Sequence, residues 1–328
     1  MKKRFLVAAM AATMVSPIAA FANATVYGNI HLSIDSFDDD NPATNTSDEE
    51  LQMNSNTSAI GVKGKEDLGG GMSALFKAEF QIDPSERANN ITDRDQWVGL
   101  KGAFGTVKFG TMSSNYKQTG GKIDPMYRTQ LEGRGSEYAG QSNLHSGAGI
   151  YRGRSTNTVQ YTSPKMSGVS VVFNTTVSGA LADETMGLGV RYKTKNIFAY
   201  FDYIDMDKDF DDTTDTGTES AMKVGGSFKT GAMTFGLQHE LTADLLGEDT
   251  TFLSFNYQMN DNDNIAFTFA NASEDFVDPD NNNGSAYALM YNHKMSKRTN
   301  VYVGYGVSDI DDNDTDVSDV TFGIRHKF

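Results

Sequence analysis

The side chains that most often carry out chemistry are few in this sequence, and their spacing does not favour it. The five histidines, His31, His145, His239, His293 and His326, each stand alone on their segment. None belongs to an HExxH pair, which sets two zinc ligands on one helix face, and no GxSxG elbow presents a serine nucleophile. Cysteine is absent, which removes thiol catalysis, iron–sulfur ligation and disulfides together. Gly69-Gly70-Gly71 ends one predicted strand and opens another, not a helix, so it reads as a turn and not as a phosphate cradle. The alternation Asp205, Asp207, Asp209 has the look of a calcium loop. Phe210, however, stands where such a loop needs its sharp-turn glycine, and Thr216 where it needs a bidentate glutamate. The expectation is no enzyme, no cofactor and no specific metal site.

Charge is the chemistry that remains. The chain carries 43 Asp and Glu against 28 Lys and Arg, a net charge of −15, and Lys2, Lys3 and Arg4 are all at its start. Acidic runs crowd Asp38 to Asp40, Asp48 to Glu50, Asp205 to Asp215 and Asp309 to Asp316. Such a surface disfavours nucleic acid and anionic ligands and draws cations towards itself. The runs read as a solvated acidic rim.

The elements that must hold these charges are strands. Lys2, Lys3 and Arg4, the apolar stretch Phe5 to Val15 and the run Ala20-Phe21-Ala22 form a secretory signal peptide, expected to be cleaved after Ala22. Residues 1–22 are therefore set apart, and 23–328 are expected to form one domain. Mean hydropathy is −0.45, and no later window holds the roughly 18 consecutive apolar residues of a membrane helix. Period-2 alternation recurs instead. Val26, Ile30, Leu32 and Ile34 oppose Asn29, His31, Ser33 and Asp35, and Val320, Phe322, Ile324 and Phe328 oppose Thr321, Gly323, Arg325 and Lys327. Short connections, such as Asp67–Gly71 and Ser296–Arg298, alternate with long ones, the longest being Thr111–Gly153. Short turns at one end and long loops at the other indicate an all-β, transmembrane antiparallel β-barrel of about 16 strands in an outer membrane. The five prolines beyond the signal, Pro42, Pro84, Pro125, Pro164 and Pro279, all fall in proposed connections, as ladder hydrogen bonding requires.

Three stretches then carry a resemblance. Val26-Tyr27-Gly28 opens the first strand, Ile60 to Gly71 makes strand, turn and next strand, and Trp97 to Gly102 leads into Phe104 to Gly110. With Asn157 to Pro164 and the terminal Gly323 to Phe328, they resemble the Gram-negative general porins over the whole of 23–328. The resemblance implies a homotrimer of sixteen-stranded barrels, each a passive channel, with the third outer loop, here about 112–153, folded into the pore. It implies basic wall residues at Arg94 and Arg154, to which Lys77 and Lys108 add, while two further wall positions hold Ala59 and Asn29. On the loop it implies acidic residues at Asp124, Glu132 and Glu137, diluted by Lys122, Arg128 and Arg134. Phe328 matches the terminal aromatic read by the barrel assembly machinery. Outer-membrane lipid and lipopolysaccharide complete the expected partners, with divalent cations bridging the acidic rim to lipopolysaccharide phosphates. The functional expectation is a general diffusion porin of weak cation selectivity. The alternative is a channel specific for sugars or oligosaccharides, for which the inward aromatics Tyr27 and Tyr302 make only a sparse ladder.

Overall fold

A strand that alternates apolar and polar side chains must send them to different solvents. The computed structural model describes residues 23–41, 46–87, 91–133, 153–177, 185–207, 218–241, 248–274, 284–310 and 315–328, and nearly all of these are strand. In chain order the strands are β1 (Asn23–Asn41), β2 (Thr46–Ser55), β3 (Ala59–Gly69), β4 (Met72–Ile82), β5 (Ile91–Gly102), β6 (Gly105–Ser113), β7 (Arg154–Thr162), β8 (Val169–Thr176) and β9 (Thr185–Lys193). They continue as β10 (Ile197–Asp207), β11 (Thr218–Thr230), β12 (Met233–Leu241), β13 (Glu248–Gln258), β14 (Asp263–Glu274), β15 (Gly284–Lys294), β16 (Thr299–Ile310) and β17 (Thr315–Lys327). One helical turn, α1 (Lys117–Gly120), lies between β6 and β7.

Apart from β2 and β3, each strand pairs antiparallel with the next in sequence, and β17 returns to β1 from Asn29↔Lys327 to Asp40↔Asp316, so the sheet closes on itself. Seventeen strands make sixteen staves. The far half of β1, Leu32 to Asn41, pairs with β2, and its near half, Asn23 to Asn29, pairs with β3. β2 and β3 are therefore one stave, interrupted at Asn56–Ser58, where Thr57 takes a left-handed φ of 57°. Two bonds stitch the interruption: Asn56 N–H donates to the His31 carbonyl at 2.8 Å, and Ile82 N–H to that of Ser58 at 2.9 Å. Closure leaves no open edge, the condition for a sheet to sit in hydrocarbon.

The two faces are inverted relative to a water-soluble protein. His31, Ser33, Asp35, Gln160, Lys223 and Thr321 are buried, while Val224, Leu237, Leu289 and Phe322 are more than half exposed. An apolar surface this continuous is unstable against water and stable against lipid. The short connections fall where alternation breaks off. Between β3 and β4, Gly69, Gly70 and Gly71 all adopt positive φ, which only glycine takes without strain. Of the prolines, Pro84, Pro125 and Pro164 lie outside the strands, and Pro42 and Pro279 lie outside the described residues.

The acidic runs are partly strand. The runs Asp38 to Asp40 and Asp48 to Glu50 lie in β1 and β2, with Asp38 opposite Glu49 and Asp39 opposite Asp48. The ladder runs on past the point where polarity predicts a loop, because each added step satisfies a backbone N–H and C=O. Asp205 and Asp207 lie in β10, whose extended backbone cannot wrap a cation as a calcium loop does. Asp209, Glu137, Arg134 and the expected signal peptide lie outside the described residues.

Candidate functional site

On the inner face of β4 to β7 a chain of alternating charge runs along the wall. Arg94 Nε meets Glu79 Oε1 at 2.7 Å, and Lys77 Nζ bridges Glu79 Oε2 at 3.1 Å and Asp95 Oδ2 at 3.0 Å. Arg154 Nε reaches Asp95 Oδ1 at 2.8 Å. Tyr27 donates to Glu79 at 2.7 Å, and Arg94 Nη1 donates to Gln81 at 3.0 Å. A regular strand sends neighbours such as Arg94 and Asp95 to opposite faces. The register of β4 with β5 jumps from Ala78↔Gln96 to Phe80↔Asp93, so both residues stand opposite Glu79, and this bulge turns both inward. A second shift lies between β6 and β7, near Asn157 with its φ of 50°. It breaks the parity that Arg154 would share with Thr158, yet the long side chain still reaches Asp95.

The connection after β6 lies against the inward residues of most of the remaining staves. Asn115 N–H donates to Asn174 on β8 at 2.8 Å, and its side chain to Asp202 on β10 at 2.9 Å. Thr119 donates to the other Asp202 oxygen at 2.6 Å, and Arg191 on β9 pairs with Asp202 while donating to the Asn115 carbonyl at 2.9 Å. Lys223 on β11 donates to the Tyr116 carbonyl at 2.6 Å, and Tyr116 donates to Glu240 on β12 at 3.0 Å. Burial, with Glu240 beside it, holds the Tyr116 phenol well above its usual range, so it remains a donor. Further along, Ser254 on β13 donates to the Ile123 carbonyl at 2.6 Å, Met126 and Leu131 pack with Ala266, Ala288, Met290 and Tyr302, and Gln130 donates to Asn56 at 3.1 Å.

The wall is thinned to receive this segment. A Cβ on Gly187 would stand 2.0 Å from the Asn115 side chain, and one on Gly304 or Gly306 would stand 2.5 or 2.7 Å from Leu131. Two loop carboxylates bond backbone N–H groups of the loop. Asp124 Oδ1 accepts the Met126 N–H at 2.8 Å, and Glu132 Oε2 accepts the Arg128 N–H at 2.7 Å.

Two cavities of about 440 and 450 Å³ flank the segment. Seven Lys or Arg side chains and two carboxylates line the first, including Lys77, Lys108, Arg94 and Arg154. Six Lys or Arg side chains and one carboxylate, Asp124, line the second. Among the described residues both linings are net positive, opposite in sign to the chain as a whole.

A family model described as Gram-negative porin matches residues 7–313. The chain belongs to that family.

This porin is 28% identical over 209 residues to the major outer membrane protein P.IB of Neisseria gonorrhoeae, a match covering 61% of this chain and 56% of the relative. It therefore aligns with little more than half the length of that relative. Among solved structures it is similar to an anion-selective porin from Comamonas acidovorans, with a TM-score of 0.76 and 20% identity over 94% of this chain and 100% of the other. It is also similar to the trimer form of OmpT from Vibrio cholerae, with a TM-score of 0.68 and 14% identity over 94% of this chain and 99% of the other. This porin is an outer-membrane protein. Family membership, and not the lack of a nucleophile–base pair, sets the enzyme readings aside.

Of the residues singled out from sequence, the structure brings Lys77, Arg94 and Arg154 together on one wall. It places Asp124 on the second cavity and Glu132 beside Leu131, away from both. Ala59 and Asn29, the two positions without a basic residue, are cross-strand partners. Phe328 exchanges two backbone hydrogen bonds of 3.1 Å with Gly28 and lays its ring where a Gly28 side chain would stand. The wall carboxylates Glu79 and Asp95, and the Arg191–Asp202 pair that anchors the connection, were missed. A charged residue at a polar-face position inside a strand is the signal that points to Arg191.

Proposed function

We propose that this porin is a passive diffusion channel for ions and small hydrophilic solutes, its lumen narrowed by the connection between β6 and β7. The observation that carries this reading is the inverted barrel: polar and charged side chains inside a closed sheet, apolar ones outside. Arg94, Arg154 and Lys77 form one side of the narrowed zone. Asp124 and Glu132 act there by holding the shape of the connection, and Glu137 belongs to the same connection. The acidic runs favour cation entry at the mouth, whereas the cavity linings favour anions within. The working unit is a homotrimer, a reading supported by the likeness to porins of that assembly. Lipid surrounds it, lipopolysaccharide meets its acidic rim through divalent cations, and the barrel assembly machinery reads Phe328. Residues 1–22 are the signal peptide, and N-terminal sequencing of the mature protein should begin at Asn23. The decisive measurement is single-channel recording of the purified protein in a planar bilayer, where stepwise KCl conductance is expected. A protein that inserts and shows no steps defeats the channel reading.

A further inference from the structure

Arg128 on the connection and Arg325 and Lys327 on β17 differ from the cations of the β4–β7 wall. Arg128, Arg325 and Lys327 form no ion pair among the described residues. They carry like charge around adjoining cavities: Arg128 lines one, and Arg325 and Lys327 line the other. The fold holds this arrangement against its own repulsion. Arg128 takes a left-handed φ of 66°, which an arginine seldom adopts, and the Glu132 carboxylate fixes its N–H. The Arg325 Nε is buried without a hydrogen-bond partner. A donor stranded in this way is an unmet demand for an acceptor.

The two cavities adjoin here. Lys122 and Tyr127 line both, Arg128 lines the one towards β4–β7, and Arg325 and Lys327 line the other. A solute passing between them meets guanidinium and ammonium groups of the connection and of β17. Opposed charges across a lumen would orient a solute, but like charges across it call for an anion between them. Guanidinium groups present planar forks of donors that match phosphate oxygens, and a multivalent anion satisfies several cations at once.

We propose that Arg128, Arg325 and Lys327, with Lys122 at the junction of the cavities, bind multivalent oxyanions of the phosphate class, so that small phosphorylated molecules are preferred solutes of this porin. The proposal rests on the channel reading and names its solute class. The test uses full-length protein freed of lipopolysaccharide, in zwitterionic planar bilayers, with inorganic pyrophosphate as the probe. Pyrophosphate is expected to interrupt the KCl current. Arg128→Gln and Arg325→Gln are each expected to raise the half-blocking concentration about ten-fold, the usual loss of a charge-assisted hydrogen bond. Wild-type reversal potentials in a KCl gradient should favour chloride, and Arg128→Gln should move them towards potassium. Equal block in all three proteins, or a cation-selective wild type, overturns the proposal. A wild type without KCl conductance defeats the channel reading instead. Calorimetric titration of pyrophosphate into detergent-solubilised protein then decides binding separately: heat that weakens in Arg128→Gln supports the site, and absent or unchanged heat overturns it.

Discussion

On the β4–β7 wall, Arg94 and Arg154 lie against Glu79 and Asp95, with Lys77 between the two carboxylates. On the two cavity linings, Arg128 and Arg325 form no ion pair among the described residues. The same residue type thus does two kinds of work. A buried ion pair is worth little net stability but is costly to break from one side, so the paired wall acts as bracing. An unpaired cation in a lumen contributes field, which acts on whatever passes. Side-chain identity alone does not separate these roles.

The comparison breaks most sharply at Asp95. Asp95→Ala strips the shared partner from Lys77 and Arg154 and should destabilise the barrel by about 3–5 kcal/mol, read from the midpoint of heat-modified migration on gels. Arg325→Gln removes a cation with no partner and should shift that midpoint far less. Equal shifts would mean that the two sides are braced alike. Next comes Gly304→Val, whose Cβ would stand 2.5 Å from Leu131. Overpacking of about 1–3 kcal/mol should fall on the connection, raising single-channel conductance and weakening anion preference as Arg128 leaves Arg325. Unchanged conductance would show that the connection does not limit the path.

Salt gives a finer measure. Between about 0.1 M and 1 M KCl the Debye length falls from about 10 Å to about 3 Å. Anion preference should therefore fade with salt in the wild type and vary less in Arg128→Gln. The smallest expected effect is that of Asp124→Asn and Glu132→Gln on reversal potential, because both carboxylates accept backbone N–H groups of their own segment. A shift as large as that of Arg128→Gln would make the loop acids part of the field after all.

The barrel was legible because alternation, turn glycines and proline placement are local signals. His31, Ser33 and Asp35 could be assigned inward, and Ile34 outward, from a dozen residues. Arg94 and Asp95 could not, since a bulge specified by their neighbours on β4 makes adjacent residues share a face. Arg154 reaches the predicted wall despite a register shift that voids the parity argument. The net charge of −15 describes the chain and not the lumen, because the cavities sample a small basic subset of an acidic chain. The split of the second stave at Thr57 left no mark in hydropathy, because a polar residue suits either a strand or its interruption.

The pairing of Phe328 with Gly28 bears on how the ring comes into being. β1 and β17 are opposed in the same antiparallel manner as every hairpin in the barrel, so their seam is a hairpin lacking only its turn. Until that seam forms, both strands are raw edges separated by almost the entire sequence, and ring closure is the slow, non-local event. The finished ring keeps no memory of where it was joined. A permuted chain, with Phe328 linked to Asn23 by a segment long enough to span the roughly 17 Å of strand from Gly28 to Asn23 and new ends opened at Asn260–Asp263, should close into the same sixteen staves.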